Sequence, residues 1–273
     1  MADLLPPHGG LKVPVDRSIP AGEVAAFTKE CAALKKIAVS DADLSSLYRM
    51  GDGGLSPLTG PMDSATYNTV LDGEKIVVAG KPYAWSIPIA FPIGKGDAAN
   101  LKVGETVALT NARNELVGSL KINDIFPWDK AKYIKGVYQT DRVDHPGGRM
   151  TMNDPREMLL GGEVRVLPQP KNPEYGKFVL SPKETRALFA QRGWQRVVAF
   201  QTRNALHRAH EFALVYGVEK VTRDSGQLVG GVLNPLIGET KGDDVDATSR
   251  MKTYMALIDN KALGEGDLDA ETW

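Results

Sequence analysis

One stretch of the chain limits its architecture more than any other. Leu167-Pro-Gln-Pro-Lys-Asn-Pro-Glu174 carries three prolines. Proline has no backbone N–H to donate and stiffens the chain in extended conformations, so neither a helix nor a central strand is expected to cross this segment. The pattern also differs on its two sides. Two domains are therefore predicted, residues 1–170 and 171–273.

The first part opens with a helical stretch in which Val24, Phe27, Cys31 and Leu34 recur at helical spacing. A shorter one around Leu44, Leu47 and Tyr48 is expected to end at Gly51. From Glu74 to Phe126 the pattern turns to short β-rich runs, Ile76-Val77-Val78, Trp85 to Phe91, Thr106 to Leu109 and Leu116 to Ile122, separated by turn clusters such as Asn111-Ala-Arg-Asn114. A small barrel or curled sheet is the expectation.

Beyond the prolines the elements alternate. Ser181-Pro182-Lys183-Glu184 reads as a capping box with proline at the first helical position, and Gly193 closes that helix. Arg196 to Phe200 reads as a short strand, Ala205 to Tyr216 as a helix and Leu228 to Leu233 as a buried strand. Met251, Tyr254, Met255 and Ile258 mark one face of a further helix, while Arg250 and Lys252 are placed toward solvent. A β-α-β-α order argues for a parallel sheet, which binds ligands beyond the carboxyl ends of its strands.

At such an end lies Gln201-Thr-Arg-Asn-Ala-Leu-His-Arg-Ala-His-Glu211. Asn204 is the expected N-cap, with His207 in the first turn and His210 one turn further on the same face. Free backbone N–H groups and the positive end of the helix dipole favour a phosphate or sulfate. Arg203 adds a planar fork for two oxygens of an oxyanion, and Gln201 and Thr202 supply neutral hydrogen bonds. Neutral His207 and His210 would serve as N–H donors to developing charge. Plainer readings of the pair are surface histidines, partners of Glu211 or two metal ligands, the last being disfavoured by the absence of an H-E-x-x-H arrangement and the distance in sequence to Cys31.

Composition excludes several classes. Lys plus Arg number 33 against 34 Asp plus Glu, so bulk electrostatics would hold neither nucleic acid nor an anionic membrane. One cysteine, Cys31, cannot form an internal disulfide, which fits a reducing cytoplasm. The opening residues lack a basic region followed by an apolar core. Neither a P-loop motif nor a G-x-S-x-G elbow is present.

Gln201 to Glu211 resembles the ATP-sulfurylase signature Q-x-R-N-P-x-H-x-A-H-E. Gly54-Leu-Ser-Pro-Leu-Thr-Gly60, Asp144-His-Pro-Gly147 and Asn234-Pro-Leu-Ile-Gly-Glu-Thr-Lys241 resemble further motifs of that family, and both ends of the chain resemble versions from sulfate-reducing bacteria. The resemblance implies an α/β chain, α+β overall: a β-rich PUA-like N-terminal domain followed by a Rossmann-like nucleotidyltransferase domain. It implies the reaction of ATP with sulfate to give adenylyl sulfate and pyrophosphate, with Mg2+ accompanying ATP. Gln201 and Arg203 would bind sulfate. Gln201, Thr202, Arg203, Asn204, His207 and His210 would border ATP, and of these Thr202, Arg203, Asn204, His207 and His210 would be catalytic. No resident metal, nucleic acid or membrane is implied, and the full-length protein is expected to be a homo-oligomer.

Three positions depart from the family pattern. Ala205 stands where proline is usual, which is expected to loosen the loop by roughly 0.4–1 kcal/mol; Asn234 replaces a histidine, and Pro61 replaces an aromatic. The family's later Gly-Arg-x-His loop has no counterpart, so the second domain is expected to be incomplete and its turnover weak or absent. The alternatives are a non-catalytic nucleotide- or oxyanion-binding remnant, an interaction protein, or an RNA-binding PUA-like module, the last opposed by the balanced charge. In the loop after the second strand, Lys241 could meet phosphate and Asp243 and Asp244 could approach magnesium, or all three could be solvated loop charges. His145 could border a site or stabilise a turn, and Ser56 and Thr59 are open in the same way.

Overall fold

The computed structural model describes residues 6–171, 173–236 and 244–259. The chain is mixed α/β and divides into two compact units, one of Pro6–Pro170 and one from Lys171 onward.

The first unit contains helices α1 (Val24–Cys31), α2 (Asp41–Asp52), α3 (Ser64–Gly73), α4 (Lys95–Ala98), α5 (Lys130–Tyr138) and α6 (Pro146–Asn153). Its strands are β1 (Lys36–Ala38), β2 (Lys75–Val78), β3 (Lys81–Ala84), β4 (Phe91–Ile93), β5 (Thr106–Thr110), β6 (Leu116–Pro127) and β7 (Met158–Val166). Five of them form one sheet in the order β1-β5-β6-β7-β4, and β2 and β3 pair as a separate hairpin. β1 runs parallel to β5, while the other pairings are antiparallel. The sheet contributes Val107, Leu109, Leu120, Ile122, Leu160 and Val164 to a core that α2 and α3 complete with Leu47, Met50 and Val70. The expected turn after β5 is present: Asn111 N–H donates to the Glu115 carbonyl, and Asn114 takes φ 59°.

Two expectations change in this unit. Gly51 does not end α2. It lies inside the helix, where a Cβ would stand 2.9 Å from the Val166 side chain, and the left-handed residue that ends α2 is Gly53 at φ +87°. Trp85 to Phe91 is not a strand; the hairpin strand β3 ends at Ala84 and β4 begins at Phe91. In between, the Trp85 N–H still reaches the Glu74 carbonyl, and its Nε1 donates to the Ile87 carbonyl as the chain turns away from the hairpin.

Gly53 also yields a prediction. A Cβ there would lie 2.2 Å from the Val15 carbonyl oxygen. Gly53→Ala must therefore shift backbone as well as bear a positive φ, and it is expected to lower the urea midpoint by an equivalent of more than ~1 kcal/mol. An unchanged midpoint would contradict that close approach.

The second unit begins its regular structure with α7 (Pro182–Gln191), where the capping box is fully formed: the Ser181 hydroxyl accepts from Glu184 N–H and the Glu184 carboxylate accepts from Ser181 N–H. Gly193 follows at φ +69°. Next come β8 (Arg196–Thr202), α8 (Arg208–Ser225), β9 (Val229–Pro235) and α9 (Ala247–Asp259). β8 and β9 pair in parallel from Arg196 opposite Val229 to Thr202 opposite Pro235. The buried cluster joins Tyr175, Leu233, Met251 and Tyr254, with Phe178, Phe200 and Leu206 packed against it. Among the described residues, no helix is long and apolar enough to cross a membrane.

Candidate active site at the end of the parallel strands

β8 and β9 bring their carboxyl ends together. Gln201 lies opposite Asn234 in the register, and both residues are exposed. Thr202 is buried: its hydroxyl accepts the Asn204 N–H at 3.1 Å, and its carbonyl accepts the Leu236 N–H at 2.8 Å. It turns the chain out of the sheet. Arg203 follows with its side chain 42% exposed, and its Nη1 lies 3.4 Å from Asp244 Oδ2. Lys241 and Asp243 lie outside the described residues.

The start of the next helix differs from the sequence expectation. Asn204 is not the N-cap. His207 is, and α8 begins at Arg208, so His207 precedes the first turn that was assigned to it. The reason is tertiary: α9 engages the Asn204 carbonyl, which an N-cap there would offer to the first helical turn, and also the carbonyl just before it. Tyr254 Oη–H donates to the Asn204 carbonyl at 2.7 Å, and Arg250 Nη1 donates to the Arg203 carbonyl at 2.9 Å. Leu206 N–H goes to Thr253 Oγ1 at 3.4 Å. Residues 203–206 are thereby held as a loop, and Ala205 lies within it rather than at a first helical position. Arg250, placed toward solvent by the sequence, is only 2% exposed, whereas Lys252 is exposed as expected.

This start also changes the anion chemistry. The Ala209 N–H goes to His207 Nδ1 at 3.3 Å, and the His210 and Glu211 N–H groups both go to the His207 carbonyl. These three N–H groups are thus engaged locally, and the positive end of the dipole of an 18-residue helix remains at this start. With Nδ1 of His207 accepting, the proton of the neutral ring resides on Nε2. The His207 and His210 rings lie 3.9 Å apart between centroids, and Phe200 lies 5.5 Å from His210.

Burial and the neighbouring His207 together hold the His210 pKa below its ordinary 6.5. The sign follows from proton counting. Between the lowered value and 6.5 the unfolded chain binds more protons at this position than the folded one, so this contribution to stability is present above that window and declines as pH falls through it. In an NMR titration the His210 ring is expected to have its midpoint below 6.5; a midpoint at or above that value would contradict the burial of His210 beside His207.

The first unit's motif residues hold turns. His145 Nδ1 accepts the Gly147 N–H at 3.1 Å at the start of α6, with Pro146 at the first helical position. Ser56 donates to the Gly53 carbonyl at 2.7 Å and accepts the Val15 N–H at 2.9 Å. The Thr59 carbonyl accepts the Val164 N–H.

Residues 5–169 match the PUA-like domain, and residues 176–267 match the ATP-sulfurylase domain. The chain belongs to the ATP-sulfurylase family. Its relatives include a sulfate adenylyltransferase of Pyropia yezoensis, 46% identical over 278 aligned residues that cover 100% of this chain and 64% of the relative. Another, from Desulforamulus reducens, is 35% identical, with 94% of this chain covering 63% of the relative. The chain thus spans less than two thirds of the length of the curated sulfurylases it matches. Its fold is also similar to that of a hexameric APS kinase from Thiobacillus denitrificans, at TM-score 0.67 and 23% identity, covering 94% of this chain and 44% of that one. The loop between β8 and α8 holds Arg203 and leads to His207 and His210, and hydrogen bonds from α9 fix the path of that loop. Arg250 and Tyr254 were not singled out as part of this region. Their spacing of four residues beside Met251 and Ile258 was the available signal, since it sets both on or next to the apolar face of α9.

Proposed function

We propose that the second unit houses the adenylyl-transfer site of a sulfate adenylyltransferase, which joins sulfate to the α-phosphate of ATP and releases pyrophosphate. The observation that carries this reading is the sequence of groups leaving β8: exposed Gln201 beside Asn234, then Arg203, then the adjacent rings of His207 and His210 at the start of α8. Sulfate is a poor nucleophile. The demand on the protein is therefore to desolvate it, aim it at phosphorus and stabilise charge on the phosphate oxygens. Arg203 and Gln201 are assigned to sulfate. His207 Nε2–H and His210 are assigned as donors to the nucleotide phosphates, and Asn204 borders the same nucleotide. Thr202 contributes by shaping the backbone, its hydroxyl being engaged by Asn204 N–H.

Magnesium enters this scheme with the substrate, as Mg-ATP, and neutralises charge on the departing pyrophosphate. Residues 1–170 act as the PUA-like domain and residues 171–273 as the catalytic part. The reverse reaction would use the same groups. A cytoplasmic location fits the single Cys31, and a homo-oligomer is the family expectation.

The test is sulfate- or molybdate-dependent pyrophosphate release from Mg-ATP, with Arg203→Ala in parallel. Release that requires the oxyanion and disappears in the variant supports the assignment, even at a low rate. Release that persists unchanged in Arg203→Ala contradicts it. Binding of adenylyl sulfate without release would favour a nucleotide- and oxyanion-binding module.

A further inference from the structure

Among the described residues, the largest fully buried side chain is a charged one. Arg250, on α9, is 2% exposed. A buried guanidinium bears a large desolvation penalty, and an apolar residue of similar volume is often the more stable choice. Its hydrogen bonds indicate what the charge does there. Nη1 donates to the carbonyl of Arg203, just beyond β8, and to the carbonyl of Leu236, just beyond β9. One turn along, Tyr254 donates to the carbonyl of Asn204.

We infer that Arg250 is a positioning residue for the oxyanion loop: it ties the ends of β8 and β9 together and turns their carbonyl oxygens toward α9. The inference rests on the oxyanion reading of that loop. A carbonyl is an acceptor only and carries partial negative charge, so a carbonyl facing the site would repel sulfate and compete for Arg203. Donation from Arg250 and Tyr254 engages two consecutive carbonyls, those of Arg203 and Asn204, on the protein side. Arg203 and Gln201 then meet the anion from a preorganised loop, with less ordering left to occur on binding. The planar nitrogen of Arg250 places two N–H bonds in fixed directions. A lysine ammonium carries the same charge on a rotating group and cannot fix both carbonyls as well.

The experiment compares the whole chain with Arg250→Met and Arg250→Lys, by calorimetric titration of adenylyl sulfate and by amide hydrogen exchange without ligand. Arg250→Met is expected to weaken binding about tenfold or more, as for loss of a buried hydrogen bond from a charged donor. It should accelerate exchange at Asn204, Leu206 and Leu236 while α7 keeps its protection. Arg250→Lys should retain part of both properties. Wild-type affinity in Arg250→Met, or acceleration spread equally over α7, would overturn the inference. If Arg250→Met does not fold, Arg250→Lys decides: partial loss supports the inference, and wild-type affinity and exchange overturn it. If the wild-type chain binds no adenylyl sulfate, the functional reading fails, and the exchange comparison still decides whether Arg250 holds the two strand ends.

Discussion

Arg203→Ala is expected to weaken adenylyl sulfate binding by about 10- to 100-fold, because a hydrogen bond to a charged group contributes roughly 1.5–3 kcal/mol. The loss should be local. The Arg203 side chain is 42% exposed and its ion pair with Asp244 is long, at 3.4 Å, so its removal should leave the thermal midpoint nearly unchanged. Arg203→Lys keeps the charge but loses the planar fork, and its affinity should fall between wild type and alanine. Calorimetric titration with a parallel melting curve separates these outcomes. Equal affinity in all three proteins would remove Arg203 from the site.

The largest stability effect is expected in the first unit. Leu160 is fully buried in β7, where it lies between Ile125 of β6 and Phe91 of β4. Leu160→Ala removes its apolar contacts and leaves a cavity that the flanking strands cannot collapse, at a cost of about 2–5 kcal/mol. For a unit of this size each kcal/mol lowers the melting temperature by ~2–4 °C, so a fall of roughly 4–20 °C is expected by calorimetry. A fall below ~3 °C would mean that β7 is far less tightly packed than its burial indicates.

Much of the second unit was legible because its signals are local. The Ser181–Glu184 capping box requires only four consecutive residues, and the apolar run at Arg196 to Phe200 declares a strand wherever it packs. The start of α8 was not legible in that way. Asn204 and His207 can each cap a helix, and the choice was made by Arg250 and Tyr254, about fifty residues later, which take the carbonyls of Arg203 and Asn204. Once His207 caps α8, its ring and carbonyl take the Ala209, His210 and Glu211 N–H groups, which reduces the cluster of free N–H groups expected at this helix start.

In the first unit β7 went unread for a related reason. Gly161 and Gly162 interrupt its apolar pattern, yet close packing requires them: a Cβ at Gly161 would lie 2.5 Å from the Met62 carbonyl oxygen, and one at Gly162 would lie 2.1 Å from that of Lys121. A weak local strand signal thus marks a tightly packed strand. Gly51 and Gly53 show the same ambiguity in α2, where one glycine makes room for Val166 and the other takes the left-handed turn.

The most direct measurement is amide chemical-shift mapping of the isotope-labelled chain during titration with adenylyl sulfate. Saturable perturbations centred on residues 201–210, absent in Arg203→Ala, are expected of an oxyanion and nucleotide site between β8 and α8. Perturbations centred in the first unit, or none at saturating ligand, would contradict it.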